Sequence, residues 1–196
     1  GYKYESLYIG GGTPGILSEE DTERILKAIH KNIDLSNLKE FTFEAGREDA
    51  ITRKKLEILK AYGVDRVSLN PQTFKEQTLK ELNRTFNRGH FDEVYRDIKE
   101  IGFILNMDLI LGLPGESVED ILETLKEVEK YEIENLTVHV LAKKKGSPLY
   151  HENFEESEVE RLLVENAIDE LVKRKGMEPY YMYRQKNSLD WGENVG

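Results

Sequence analysis

Short runs of apolar, β-branched or aromatic residues alternate with longer segments of helical period, and this alternation restricts the fold more than any other feature of the chain. The runs at 4–9, 39–45, 64–70, 105–111 and 136–141 read as strands, with a weaker sixth at 180–184. Between them, apolar residues recur at three- and four-residue spacing, the mark of helices with one buried face. Ile25, Leu26 and Ile29 form one such stripe, and Val94, Ile98 and Ile101 another. Ile121, Leu122, Leu125 and Val128 form a third, and Val159, Leu162, Leu163, Ala167, Ile168 and Leu171 the longest. All of these are assigned to the core. Ser18 before Glu19, Glu20 and Asp21, and Ser117 before Glu119 and Asp120, read as helix caps followed by carboxylates that suit the positive end of the helix dipole. Strand–helix–strand alternation with short connections implies right-handed βαβ units and a parallel sheet, in the α/β class. Periodicity leaves open whether the sheet closes as a barrel or stays open and doubly wound.

In parallel α/β architectures the ligand site lies at the C-terminal ends of the strands. Here each of the first five strands ends in polar or glycine-rich residues. "GGGTPG" follows the first, Glu44 in "FTFEAGR" ends the second, and "NPQTF" ends the third. "MDLILGLPGE" covers the fourth strand and its loop, and "HVLAKKKGS" the fifth and its loop. Glycines at Gly11 and Gly12 allow backbone groups to approach a polar ligand, and Thr13 adds a hydroxyl. A lone glycine-rich turn between strand and helix carries little by itself; its company at the other strand ends gives it weight. Ionised Glu44 suits an ammonium or a ribose diol. Gln72 and Asp108 suit ribose hydroxyls, and Arg84 offers a bidentate fork for a carboxylate. The structural alternatives are a strand-end cap for Asp108, which lies among apolar Met107, Leu109 and Ile110, and a surface ion pair for Arg84. Together the residues describe a ligand with amine, carboxylate and ribose groups, an amino-acid-linked nucleoside. His30, His90, His139 and His151 show no metal-ligand spacing. His30 reads as a surface residue of a helix, and His139, between Val138 and Val140, as a core histidine.

Composition narrows the partners. With 196 residues the chain reads as one ordinary domain, and its formal net charge of −10 disfavours non-specific binding to nucleic acid or to an anionic membrane. The basic runs "RKK" and "KKK" read as solvated faces. No apolar run approaches the roughly 18 residues of a membrane span, and no charged-then-apolar leader opens the sequence, so a cytoplasmic location is expected. There are no cysteines, which excludes disulfides, thiolate catalysis and thiolate-ligated clusters within this chain.

Read together, "GGGTP" and "DLILGLPGE" resemble the glycine-rich amine-binding motif and the fourth-strand signature of the radical S-adenosylmethionine (SAM) superfamily. "FEAGR", "SLNPQTF", "MDLILGLPGE", "PYYMYRQKN" and "ENVG" are similar, more narrowly, to the oxygen-independent coproporphyrinogen III oxidase (dehydrogenase) family in its HemZ-type branch. The resemblance covers nearly the whole chain and implies a partial (β/α) TIM-like barrel that binds SAM across its strand ends. It implies that Gly11, Gly12 and Thr13 meet the methionyl part of SAM, with Glu44 also in contact. It further implies Gln72 and Asp108 on the ribose, Arg84 on the SAM carboxylate, and Ala142 near the adenine through its backbone. The family's chemistry uses a CxxxCxxC loop after the first barrel strand to hold a [4Fe–4S] cluster. One electron from the cluster cleaves SAM to methionine and a 5′-deoxyadenosyl radical. In the oxidases that radical abstracts hydrogen from propionate side chains, and two decarboxylations give protoporphyrinogen IX.

That loop is not in this sequence. The expectation is a single radical SAM core, residues 1–196, that is a fragment of a longer protein without the first strand and the cluster loop. The cluster is then a cofactor of the full-length protein only, and the isolated fragment is inactive. The stretch from Tyr4 to Ile9 would be an open apolar edge through which the fragment self-associates. The substrate implied by the resemblance is a tetrapyrrole; the electron donor is not indicated. Tyr180, Tyr181, Tyr183 and Arg184 are candidates to meet the tetrapyrrole and its carboxylates. A second reading is a haem-binding or haem-delivery protein on the same fold. A third is a phosphate-binding α/β enzyme that uses the glycine turns and does not respond to SAM.

Overall fold

The computed structural model describes residues 3–140 and 158–178, with the short strands 182–183 and 194–195. In chain order the elements are β1 (Ser6–Ile9), α1 (Glu19–Asn32), β2 (Glu40–Gly46), α2 (Arg53–Ala61), β3 (Arg66–Leu69), α3 (Glu76–Glu81), α4 (Arg88–Ile101) and β4 (Ile104–Leu111). There follow α5 (Val118–Glu129), β5 (Asn135–Val140), α6 (Glu158–Arg174), β6 (Met182–Tyr183) and β7 (Asn194–Val195). Single 3-10 turns lie at Pro14–Ile16 and Glu48–Ala50. The five strands expected from the alternation are present and form one sheet in the order β1-β2-β3-β4-β5. The pairings of β1 with β2, β2 with β3 and β3 with β4 are parallel. Of the weak sixth stretch, Met182–Tyr183 pairs antiparallel with Asn194–Val195 in a separate two-stranded sheet. Met182 therefore does not extend the parallel sheet.

The contacts divide the chain into two compact units. The first holds residues 1–70 and 86–107, and the second residues 71–85 and 108–196. In the first unit, side chains alternate across the strands with period two. Phe41, Phe43 and Ala45 of β2 and Val67 and Leu69 of β3 are buried on one face. Leu26 of α1, Leu56 and Leu59 of α2, and Phe91, Val94 and Ile98 of α4 are buried as well and complete this core. The other face is polar: register sets Tyr8 beside Thr42 and Thr42 beside Arg66, with Ser68 beside Asn106. Arg66 Nη2 reaches Glu40 Oε2 at 3.0 Å on the same face.

The helix starts are capped by side chains. Ser18 Oγ accepts the Asp21 N–H at 3.0 Å, as its position in the sequence implies. Ser117 and Asp120 cap each other reciprocally, each side chain accepting the other's backbone N–H. Thr52 and Asn87 each cap a helix, α2 and α4, by accepting one backbone N–H, from Lys55 and His90.

In the second unit, Leu109, Leu111, Ile121, Leu125, Val128, Leu136, Val138, Val164 and Leu171 form the core. The long apolar stripe on α6 is only partly buried. Val164 and Leu171 lie seven residues apart on one face, whereas Val159, Leu162 and Leu163 are exposed. Leu163 and Leu162 fall about 100° and 200° around the helix from Val164, off the face that packs. Ile25 on α1 is likewise exposed, one position round from fully buried Leu26.

Candidate functional site

In the first unit the residues after β1 meet the C-terminal end of β2. Gly11 and Gly12 have φ of 90° and 68°, a left-handed backbone that L side chains rarely adopt. A Cβ built on either would meet nothing within 4 Å, so glycine is needed here for conformation and the space above it is open. Glu44 Oε2 accepts the Gly11 N–H at 3.2 Å and the Tyr8 hydroxyl at 3.0 Å. Thr13 packs its methyl close to Gly46, just after Glu44 on β2. The four residues Gly11, Gly12, Thr13 and Glu44 are thus gathered at adjacent strand ends. Tyr8 is a fifth member that the sequence reading missed. Its signal was its place two residues before Gly10, on the strand face that alternation turns away from the core.

In the second unit Gln72 takes a left-handed backbone with φ of 67°, uncommon for a residue with a side chain. Two backbone bonds hold it on β4: its N–H donates to Asp108 O at 3.2 Å, and its carbonyl accepts the Ile110 N–H at 2.8 Å. Gln72 and Asp108 are therefore backbone neighbours. Gln72 Oε1 is buried and has no hydrogen-bond partner among the described residues. A buried acceptor left in that state costs about 1–3 kcal/mol. Arg84 follows α3, half-buried, with its backbone N–H on Leu79 O at 2.8 Å.

Beside Gln72 lies a buried polar network. Thr73 Oγ1 donates to Glu116 Oε1 at 2.5 Å, lies 3.1 Å from Thr124 Oγ1, and accepts the Lys75 N–H at 3.2 Å. Thr124 Oγ1 accepts the Phe74 N–H at 3.2 Å. Glu116 is 3% exposed, and burial pushes its carboxyl above the usual range against the bond from Thr73, which pulls the other way. Lys75 pairs with Asp120 and donates to Gly115 O, so the loop after β4 is tied to the segment that carries Gln72. In the sequence Glu116 was visible only as the last letter of "GLPGE".

Ala142, the run Lys143 to Lys145, His151, Tyr180, Tyr181 and Arg184 lie outside the described residues. Tyr183 is described only as part of a strand. His139 is exposed, not a core histidine: it alternates with buried Val138 and falls on the opposite face of β5. His30 is exposed, with Nε2 2.9 Å from Tyr62 O. Among the described residues no group of His, Asp and Glu is placed to hold a metal ion.

A parallel sheet with a glycine turn and a facing carboxylate at its strand ends defines an α/β protein with a polar cluster there. The family model of the radical SAM superfamily matches residues 1–128, and the chain belongs to that superfamily. It is 39% identical to the oxygen-independent coproporphyrinogen-III oxidase-like protein HemZ of Bacillus subtilis, over 99% of this chain and 40% of HemZ. It is 30% identical to the heme chaperone HemW of Buchnera aphidicola, over 89% of this chain and 46% of HemW. Among solved structures, coproporphyrinogen III oxidase (HemN) of Escherichia coli shares the fold with a TM-score of 0.78 at 23% identity, over 97% of this chain and 43% of HemN. The sheet is therefore that of the TIM-like radical SAM barrel. The chain spans less than half the length of each of these relatives.

Proposed function

We propose that this chain is the SAM-binding core of a radical SAM enzyme of haem biosynthesis. The reaction is the oxidative decarboxylation of coproporphyrinogen III to protoporphyrinogen IX. The observation that carries the SAM reading is the carboxylate of Glu44 holding the Gly11 N–H with Oε2 beneath an open left-handed glycine pair. Oε1 is left to accept an ammonium, and Thr13 adds a hydroxyl for the methionyl group. For Gln72, Asp108 and Arg84, which belong to the second unit, the assignment to ribose hydroxyls and to a carboxylate rests on the family resemblance of their motifs. Bound there, SAM would supply the radical chemistry for hydrogen abstraction from the substrate. The residues present do not fit a [4Fe–4S] cluster, because the chain has no thiolate. In this reading the cluster's ligands lie outside these residues, and the chain alone binds SAM without cleaving it.

The tetrapyrrole assignment is supported by the 39% identity to HemZ along 99% of the chain. The identity to HemW favours one second reading, a haem-delivery protein on the same fold. The test uses the full-length protein, reconstituted with iron and sulfide without oxygen. 5′-Deoxyadenosine and tetrapyrrole products are followed with and without coproporphyrinogen III. Substrate-dependent cleavage with two decarboxylations is the expected result. Cleavage with no tetrapyrrole turnover, together with stoichiometric haem binding in a titration, would replace the oxidase with the delivery reading. Failure of a clustered protein to bind or cleave SAM would overturn the SAM and oxidase readings, and haem binding would then decide the delivery reading.

A further inference from the structure

Beneath the glycine turn the first unit buries one lysine. Lys55, in the first turns of α2, is 5% exposed, and its Nζ donates to Gly15 O at 2.5 Å and to Ala50 O at 2.6 Å. An ammonium removed from water is costly unless it is well solvated by the protein, and here two backbone carbonyls serve in place of water. Burial lowers its pKa, opposed by the charge of Glu19. These two carbonyls belong to the segments that follow β1 and β2. Gly15 is itself seated on the end of β2: a Cβ there would lie 2.0 Å from Ala45 O, the carbonyl next along the strand from Glu44. The backbone of α2 is held in register with this arrangement, because Thr52 accepts the Lys55 N–H and donates its hydroxyl to Glu19. Gly15, four residues after Gly11, is thus held between Lys55 and the end of β2.

We propose that Lys55 is a positioning residue for the glycine turn: its ammonium, bound to Gly15 O and Ala50 O, fixes the Gly11 N–H on Glu44 and so sets the affinity of this strand end for a ligand ammonium. The proposal deepens the SAM reading and rests on it for the identity of the ligand, though not for the clamp itself. A methionine at this position keeps the length of the side chain and leaves both carbonyls without their donor. An arginine keeps the charge and the donors.

The experiment uses the full-length protein with its cluster, as wild type, Lys55→Met and Lys55→Arg. Amide hydrogen exchange is read at 8–17 and at 40–46, and SAM affinity is read by equilibrium dialysis. In Lys55→Met the Gly11 and Gly12 amides exchange about tenfold faster while Phe41 and Phe43 keep their protection. SAM binding weakens by about tenfold, and Lys55→Arg recovers much of both effects. Unchanged exchange at Gly11, or equal acceleration at Gly11 and in β2, would overturn the clamp, the second being the mark of general destabilisation. Should Lys55→Met not fold, Lys55→Gln, which keeps a donor but loses the charge and is shorter, is read by the same exchange criterion. Local loss of protection in a protein whose wild type ignores SAM would uphold the clamp and overturn the ligand. Tight SAM binding that Lys55→Met leaves untouched, with exchange unchanged, would overturn the clamp alone.

Discussion

Glu44 is the residue on which the ligand reading turns, because one carboxylate serves both the protein and the proposed ammonium. Replacing it by glutamine keeps the size and an acceptor for Gly11 but removes the charge. Glu44→Gln is therefore expected to weaken SAM binding by about tenfold to a hundredfold, the range for a hydrogen bond to a charged group. Equilibrium dialysis on the full-length protein checks this, and an affinity within twofold of wild type would remove Glu44 from the site. Glu116 makes a different prediction. Its carboxyl titrates above its ordinary value of 4.5 in the folded protein, chiefly through burial. In the unfolded chain it loses its proton first, so the folded state binds more protons as pH rises past 4.5. Its contribution to stability is then largest below that value and falls until the folded group has also ionised. Glu116→Gln keeps an acceptor for Thr73 without that ionisation. The variant's stability relative to wild type is expected to rise between pH 4.5 and pH 8, read by urea unfolding across that range. A flat difference would show that burial does not hold the proton on Glu116.

At the scale of elements, α6 and β1 carry the information that periodicity blurred. On α6, Leu171 is 1% exposed and Leu163 is 51% exposed, although both sit in one apolar stripe of the sequence. Leu171→Ala is expected to cost about 2–5 kcal/mol, and Leu163→Ala about 0.5 kcal/mol or less, in parallel denaturation curves. Equal costs would mean that Leu163 is covered in solution. β1 pairs with β2 on one side and with no other strand among the described residues, and Tyr8 within it and Tyr4 just before it are exposed. A parallel edge of this kind is a template for a second strand. The 196-residue chain is accordingly expected to self-associate through the stretch from Tyr4 to Ile9, with a sedimentation coefficient that rises with concentration. Ser6→Lys, which adds a charge at an exposed edge position, is expected to reduce that rise. A monodisperse monomer of the unaltered chain at high concentration would show that the edge does not pair.

For the whole molecule, local patterns in the sequence marked the five strands of the parallel sheet and the helices α1, α4, α5 and α6, but not α2, α3 or β7. Alternation of period two marks β4, where Leu105, Met107, Leu109 and Leu111 are buried between half-buried neighbours, and spacing of three and four marks α4 and α5. Ser18 and Ser117 act on amides three residues away, so their capping role too was legible. Gly11 and Gly12 were legible as a turn because their left-handed backbone is a property of the residue type. These features are short-range, and a sequence records short-range physics directly. Which apolar residues reach the core was decided by packing: Leu26 is fully buried and Ile25 is not. The same holds for the polar contacts that shape the strand ends. Tyr8 reaches Glu44 across 36 residues, Lys55 reaches Gly15 across 40, and Thr73 reaches Glu116 across 43. No periodicity links residues that far apart; only the parallel register, which brings strand ends and their following loops side by side, makes them neighbours.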